Sequence, residues 1–193
     1  MTKVGIDTSL ALHLNDWGVS HRTMTEFAAK QFVYAVIGVG LIWVVSNTYQ
    51  TIKPFSIFPF LKRGVWDGVT IVVIPVGIAT LISEGISQIY FRPRPFAALS
   101  GIHLLTPHSA DGGMPSHHTV FMAAMATAIY LRNKLVGLSM GILTLLCGLA
   151  RIAAGVHYPT DVLAGLAIGI GTVLIIDRFL KDAIWRNTKF SSK

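Results

Sequence analysis

Residues 135–154 read LVGLSMGILTLLCGLARIAA, an apolar run with a single charge, Arg151, close to its end. A helix of that length rises about 30 Å, the hydrocarbon thickness of a bilayer. The runs on either side repeat the pattern. Phe27 to Ser46 carries no acid after Glu26 and no base after Lys30, and Val65 to Tyr90 is interrupted by Pro75 and holds Glu84 near its far end. His117 to Leu131 is shorter, and Asp161 to Ile176 follows the loop Gly155 to Thr160. These runs predict an all-α fold, a polytopic membrane helix bundle with about five transmembrane helices. Before them, Ile6, Leu10, Leu14 and Trp17 fall on one helical face, with Asp7, Asn15 and Asp16 between. That spacing predicts a short N-terminal helix, either lying in the membrane interface or packed on the rest of the protein.

Composition agrees. Only 13% of the 193 residues are charged and the mean hydropathy is +0.60, against roughly 25% charged in a soluble domain. One domain over residues 1–193 is expected, with a catalytic core at about 65–177. The net charge of +7 therefore reads as orientation and headgroup contact rather than nucleic-acid binding. No cleavable signal peptide is expected, because the first apolar run begins near Phe27. Cys147 is alone and lies within an apolar run; it offers neither an internal disulfide nor a zinc cluster, and reads as a small buried filler.

With five spans, the 47–64 loop, the Arg132-Asn133-Lys134 turn and the tail from Asp177 share one side. They hold ten of the Lys and Arg residues: three, two and five. The positive-inside rule makes that side cytoplasmic and places the C-terminus there. The polar clusters Arg92-Pro93-Arg94-Pro95, Met114-Pro115-Ser116-His117-His118 and Arg151…His157…Asp161 then face the extracytoplasmic side.

Those clusters suit phosphate. Asp161 follows His157 by four residues, so one helical face can bring carboxylate and imidazole together; the carboxylate fixes the tautomer and the free ring nitrogen can attack phosphorus or take a proton. Pro115-Ser116 before an apolar run predicts a helix start with Ser116 as N-cap, whose free N–H groups receive an anion. His118, in the first turn, is placed to protonate a leaving oxygen. His117 is either a second polar contact or a spacer. Arg94 and Arg151, from different loops, make a clamp for phosphoryl charge, with Arg92 beside them. Glu84 near a span end has two open readings, a contact to a substrate headgroup or an ion pair with Arg92 or Arg94. His103, His108 and Asp111 show no metal-ligand spacing and read as solvated loop residues.

Taken together, the residues resemble the type 2 phosphatidic acid phosphatase superfamily, whose motifs are Lys-x6-Arg-Pro, Pro-Ser-Gly-His and Ser-Arg-x5-His-x3-Asp. Arg94-Pro95 matches the end of the first, Pro115-Ser116-His117-His118 the second, and Ala150-Arg151, His157 and Asp161 the third. The resemblance implies a phosphohistidine on His157, orientation by Asp161, protonation by His118, and phosphate held by Arg94, Ser116 and Arg151, with no metal or other cofactor. Three positions depart from the motifs: Ser87 stands where the family has lysine, His117 where it has glycine, and Ala150 where it has serine. Arg92 could supply the missing charge, or Gln88 a neutral hydrogen bond. The pattern is most like the small bacterial undecaprenyl-diphosphatases of the bacitracin-resistance type, which implies a membrane-lipid substrate and the bilayer as partner. Alternatives are a phosphatidylglycerophosphate or phosphatidate phosphatase, a lipid phosphotransferase, or, from another class, a transporter or non-catalytic headgroup-binding protein. Against the last, the charges cluster at span ends rather than at the midplane.

Overall fold

The computed structural model describes residues 5–50 and 69–190, and among them every regular element is helical. The helices are α1 (Ile6–Ser20), α2 (Arg22–Gln50), α3 (Ile74–Ile89), α4 (Pro95–Ala98), α5 (His117–Tyr130), α6 (Lys134–Ala153) and α7 (Pro159–Phe190). Most of the expected 47–64 loop lies outside the described residues. Pro75 does not break the second span. It sits in the first turn of α3, where a missing N–H costs nothing, and a π-helical turn, Val69–Val73, leads into it.

Four of the described helices are long and apolar enough to cross a membrane: Arg22–Ser46, Ile71–Ile89, Lys134–Ala153 and Pro159–Phe179. The expected third span, α5, is different. At 14 residues it rises only about 21 Å, and it is the central helix of the bundle, packed on α2, α3, α6 and α7. Val120, Met122, Ala124 and Ile129 are all buried. Leu138, Ile142, Leu145 and Leu149 of α6, by contrast, lie on the outside, where lipid rather than protein would cover them. The tail from Asp177 also departs from expectation, since α7 continues as helix to Phe190.

Close packing around α5 comes from small residues. A Cβ on Gly169 would lie 2.5 Å from the Val120 carbonyl oxygen, and one on Gly165 would lie 2.9 Å from that of Ser116. These glycines are four apart on α7, a small-xxx-small stripe that lets two backbones approach. Gly169→Leu is expected to force the pair apart, costing about 1–3 kcal/mol or more; thermal unfolding in detergent reads it as a lower Tm.

The N-terminal helix packs on the rest of the protein, the second of the two expected arrangements. Its apolar stripe is largely outward, with Ile6 82% and Trp17 45% exposed, while Ala11, Asn15 and Gly18 are buried against the protein. Asn15 donates to the His103 and Ala153 carbonyls, both at 2.8 Å, and accepts from the His103 N–H at 2.7 Å. A Cβ on Gly18 would lie 2.4 Å from the Ala153 oxygen. The site is therefore positioned by the C-terminal ends of α3 and α6, the N-terminal ends of α5 and α7, and α1 across them. At the opposite end Arg132 pairs with Asp177 at 3.0 Å, tying the α5–α6 turn to α7.

Candidate active site

His157 follows the end of α6 through Gly155, whose φ of +77° and close contact with Ile102 (2.7 Å to a notional Cβ) admit little but glycine. The imidazole is 2% exposed. Its Nδ1 lies 2.9 Å from the Gly113 carbonyl oxygen. A carbonyl only accepts, so Nδ1 carries the proton and donates, and Nε2 keeps its lone pair. Asp161 is adjacent, with Oδ2 3.7 Å from Nδ1, too long for a hydrogen bond. The tautomer is thus set by a backbone carbonyl of the long loop, and the carboxylate acts on the ring through its charge. Burial, then the charges of Arg151 and Arg94, hold the His157 imidazole well below the ordinary histidine value.

That direction fixes a sign. The unfolded chain takes up a proton at His157 near pH 6.5, while the folded protein resists until the pH is lower, so acidification below about 6.5 destabilises the fold. The difference in Tm between wild type and His157→Gln is expected to change with pH below that value, wild type losing more. Thermal unfolding between about pH 7.5 and 5 checks it.

A cavity of about 450 Å³ opens beside His157. Arg94, Arg151, His118 and His157 line it, together with Glu84, Ser87, Gln88 and His117 on the α3–α5 side. His108, Asp111 and Gly112 complete the wall, which corrects the expectation that His108 and Asp111 are merely solvated. No spacing rule could place them, because the 99–116 loop folds back over the site. Asp111 accepts from Arg94 Nε at 2.8 Å, and Arg94 Nη1 donates to the Val156 carbonyl and faces His157 Nε2 at 3.3 Å. Burial would raise the Asp111 carboxyl, but Ser109 and Arg94 bring it net below the usual range.

Arg151 is the opposite case. It is 4% exposed, and its Nε and Nη2 have no hydrogen-bond partner among the described residues. A buried guanidinium with two idle donors on a cavity wall is a place prepared for an anion.

Other expectations are corrected. Arg92 is not on the cavity wall: Nη1 donates to Asp161 Oδ1 at 2.7 Å and Nη2 to Asp7, so both ends are engaged and it does not replace the missing lysine charge. Ser116 does precede the first residue of α5, but its side chain makes no cap bond. Its fully buried hydroxyl accepts from Thr119 at 3.0 Å, while its N–H donates to the Asp161 carbonyl at 3.1 Å. Glu84 pairs with neither Arg92 nor Arg94. It accepts from Gln88 at 3.0 Å and lies 3.8 Å from His117 Nε2. Ser87 turns its hydroxyl to the Glu84 carbonyl at 2.9 Å, and His103 remains exposed. Cys147 is buried and free.

A family model described as PAP2 superfamily matches residues 68–185, every cavity residue included and α1 excluded. The undecaprenyl-diphosphatase BcrC of Bacillus subtilis (strain 168) is 35% identical over 169 residues, 84% of this chain and 79% of that protein. Among solved structures, Aquifex aeolicus LpxE has a TM-score of 0.56 at 26% identity, covering 71% of this chain and 84% of its own. A PAP2-type phosphatidylglycerolphosphate phosphatase from Bacillus subtilis has a TM-score of 0.55 at 20% identity, covering 91% and 92%, a likeness of fold. The match spans the helices that carry the histidines and arginines, and the chain belongs to the PAP2 superfamily as an integral membrane member.

Proposed function

We propose that this protein is a metal-independent lipid phosphatase that removes the terminal phosphate of undecaprenyl diphosphate through a phosphohistidine on His157. The observation that carries the reading is the pairing, in one cavity, of an unprotonated, buried His157 Nε2 with the unpartnered guanidinium of Arg151. Nε2 attacks phosphorus; the P–O bond to the leaving lipid phosphate breaks, and His118 gives that oxygen a proton. His118 must first take up that proton with the substrate's negative charge beside it, because burial and then the Arg151 charge push its imidazole pKa down to about 3. Arg94 and Arg151 take the equatorial charge, as a preorganised clamp does best in a site away from bulk water. Water then gives its proton to His118 and attacks the phosphohistidine; the P–N bond breaks, phosphate leaves, and Nε2 recovers its electron pair.

Two features favour a lipid diphosphate. The cavity, at about 450 Å³, has room beyond one phosphate, along the wall of Glu84, Ser87, Gln88 and His117. On the same pair of helices lies an apolar groove of about 480 Å³, lined by Val76, Thr80, Leu81, Phe121 and Met125 among others, which suits a hydrocarbon tail. The name of the Bacillus subtilis relative favours the polyprenyl substrate. The site end is read as extracytoplasmic, because the opposite end bears Arg132, Lys134 and Arg178.

The test is phosphate release by purified protein in detergent with EDTA, offering undecaprenyl diphosphate, phosphatidylglycerophosphate and phosphatidate. Release fastest from the first is expected. Preference for either phospholipid would reassign the substrate, and dependence on added metal would sink the mechanism.

A further inference from the structure

We propose that Asp7, on the N-terminal helix, is a positioning residue for phosphoryl transfer, acting through Arg92 on Asp161 and His157. The inference rests on the phosphohistidine reading. Asp7 lies outside the 68–185 segment that carries the family match, yet it is built into the back of the site. Its Oδ1 accepts from the Thr160 N–H at 3.0 Å; its Oδ2 accepts from Arg92 Nη2 and from the Thr160 hydroxyl at 2.7 Å. Arg92 Nη1 donates to Thr160 Oγ1 at 2.6 Å and to Asp161 Oδ1 at 2.7 Å, and its guanidinium lies 3.9 Å above the Tyr158 ring. The other Asp161 oxygen accepts from the Tyr158 N–H at 2.8 Å and stands 3.7 Å from His157 Nδ1. Carboxylate, guanidinium and carboxylate thus form a hydrogen-bonded series whose last oxygen stands 3.7 Å from the imidazole and acts on it through charge.

The charges explain why the far carboxylate matters. Asp161 is fully buried, and Arg92 is the cation bonded to it. If Arg92 served Asp161 alone, the two charges would cancel and the imidazole would face a neutral pair. Sharing Arg92 with Asp7 leaves the series with net negative charge toward His157. It also fixes Arg92 from two sides and from the Tyr158 face. His157 becomes cationic only as the P–N bond forms, with Nδ1 keeping its proton, so the benefit belongs to the transition state rather than to substrate binding. Among the described residues, the hydrogen bonds and ion pairs of Asp7 go to Arg92 and Thr160, and those of Arg94, which would bind the phosphate, go elsewhere.

Asp7→Asn is the test, and it should leave α1 docked, because Asn15 and Gly18 hold that helix independently. With undecaprenyl diphosphate in detergent, kcat is expected to fall about tenfold while KM stays within about twofold, Tm changes little, and Asp7→Glu restores most of the rate. Arg92→Lys, which keeps the charge but cannot hold two carboxylates, should show the same kcat-specific loss should Asp7→Asn fold poorly. A second readout needs no lipid: phosphorylation of His157 by phosphoramidate, in which the P–N bond to ammonia breaks as that to Nε2 forms, followed by mass spectrometry. It should slow in parallel. An unchanged kcat, or kcat, KM and Tm falling together without rescue by glutamate, would overturn the proposal and leave Asp7 a structural strut. If wild type hydrolyses none of the lipids but labels His157 in an Asp7-dependent way, the substrate reading fails and the positioning role stands. Absence of His157 labelling in wild type would overturn both.

Discussion

His157→Gln is expected to reduce phosphate release by about four orders of magnitude or more, the scale seen when a nucleophile is removed from a coupled acid–base site. Glutamine is the informative replacement. It fills similar space, and its amide can still donate to the Gly113 carbonyl that receives Nδ1 at 2.9 Å. The 99–116 loop should therefore keep its place and Tm should change little at neutral pH. What is lost is the lone pair on Nε2. Protein quenched in detergent and alkali, where the P–N bond survives, should carry phosphate in wild type and none in the variant. Turnover retained within about tenfold would mean that another group attacks phosphorus. The candidate would then be His118, which also lines that cavity.

The second large effect is expected at Arg151, and its signature is an opposition between activity and stability. Arg151→Gln should lower kcat/KM by about two to three orders of magnitude, the loss typical of a donor aimed at transition-state charge. Yet the fold should become no less stable, and Tm is expected to rise. Arg151 is buried with two donors unpaired, so the resting protein carries a desolvated charge without a bonded carboxylate, and removing it relieves that cost. Arg94 should behave differently, because Asp111 and the Val156 carbonyl already hold it; its loss leaves a carboxylate without its partner. Arg151→Lys should recover little, since a point charge cannot reproduce two aligned donors. A strongly destabilised Arg151→Gln variant with normal kinetics would show that the guanidinium is structural.

The overall plan was legible because it is written in runs. Length and apolarity report transmembrane helices locally, and α2, α3, α6 and α7 lie where the sequence placed spans. The place of α5 was less legible. Residues 117–131 look like one more short span, and only the packing shows them at the centre. A signal did exist in the alanines of α5 and in Gly165 and Gly169 of α7, because small residues permit close backbone approach. The order of the polar clusters was equally readable, since each lies at the end of an apolar run and helix ends in a bundle meet at one membrane face.

Partner choice was not readable. Arg92, Arg94 and Arg151 look alike in sequence, but one is held between two carboxylates, one by Asp111 and backbone carbonyls, and one keeps two nitrogens unpartnered among the described residues. Asp161 reads as the partner of His157 from a spacing of four, yet the hydrogen bond from the ring goes to Gly113. Asp7 lies on the polar side of a helix whose apolar stripe is its clearest sequence signal, and nothing in that pattern marks a partner for the carboxylate. The sequence by itself determined the membrane-spanning helices, the end of the bundle that holds the chemistry, and the family. Only the tertiary structure decided which cation serves which anion, because such choices turn on differences of about an ångström between groups far apart in the chain. Helix periodicity constrains neighbours within a few turns and carries no information about those distances.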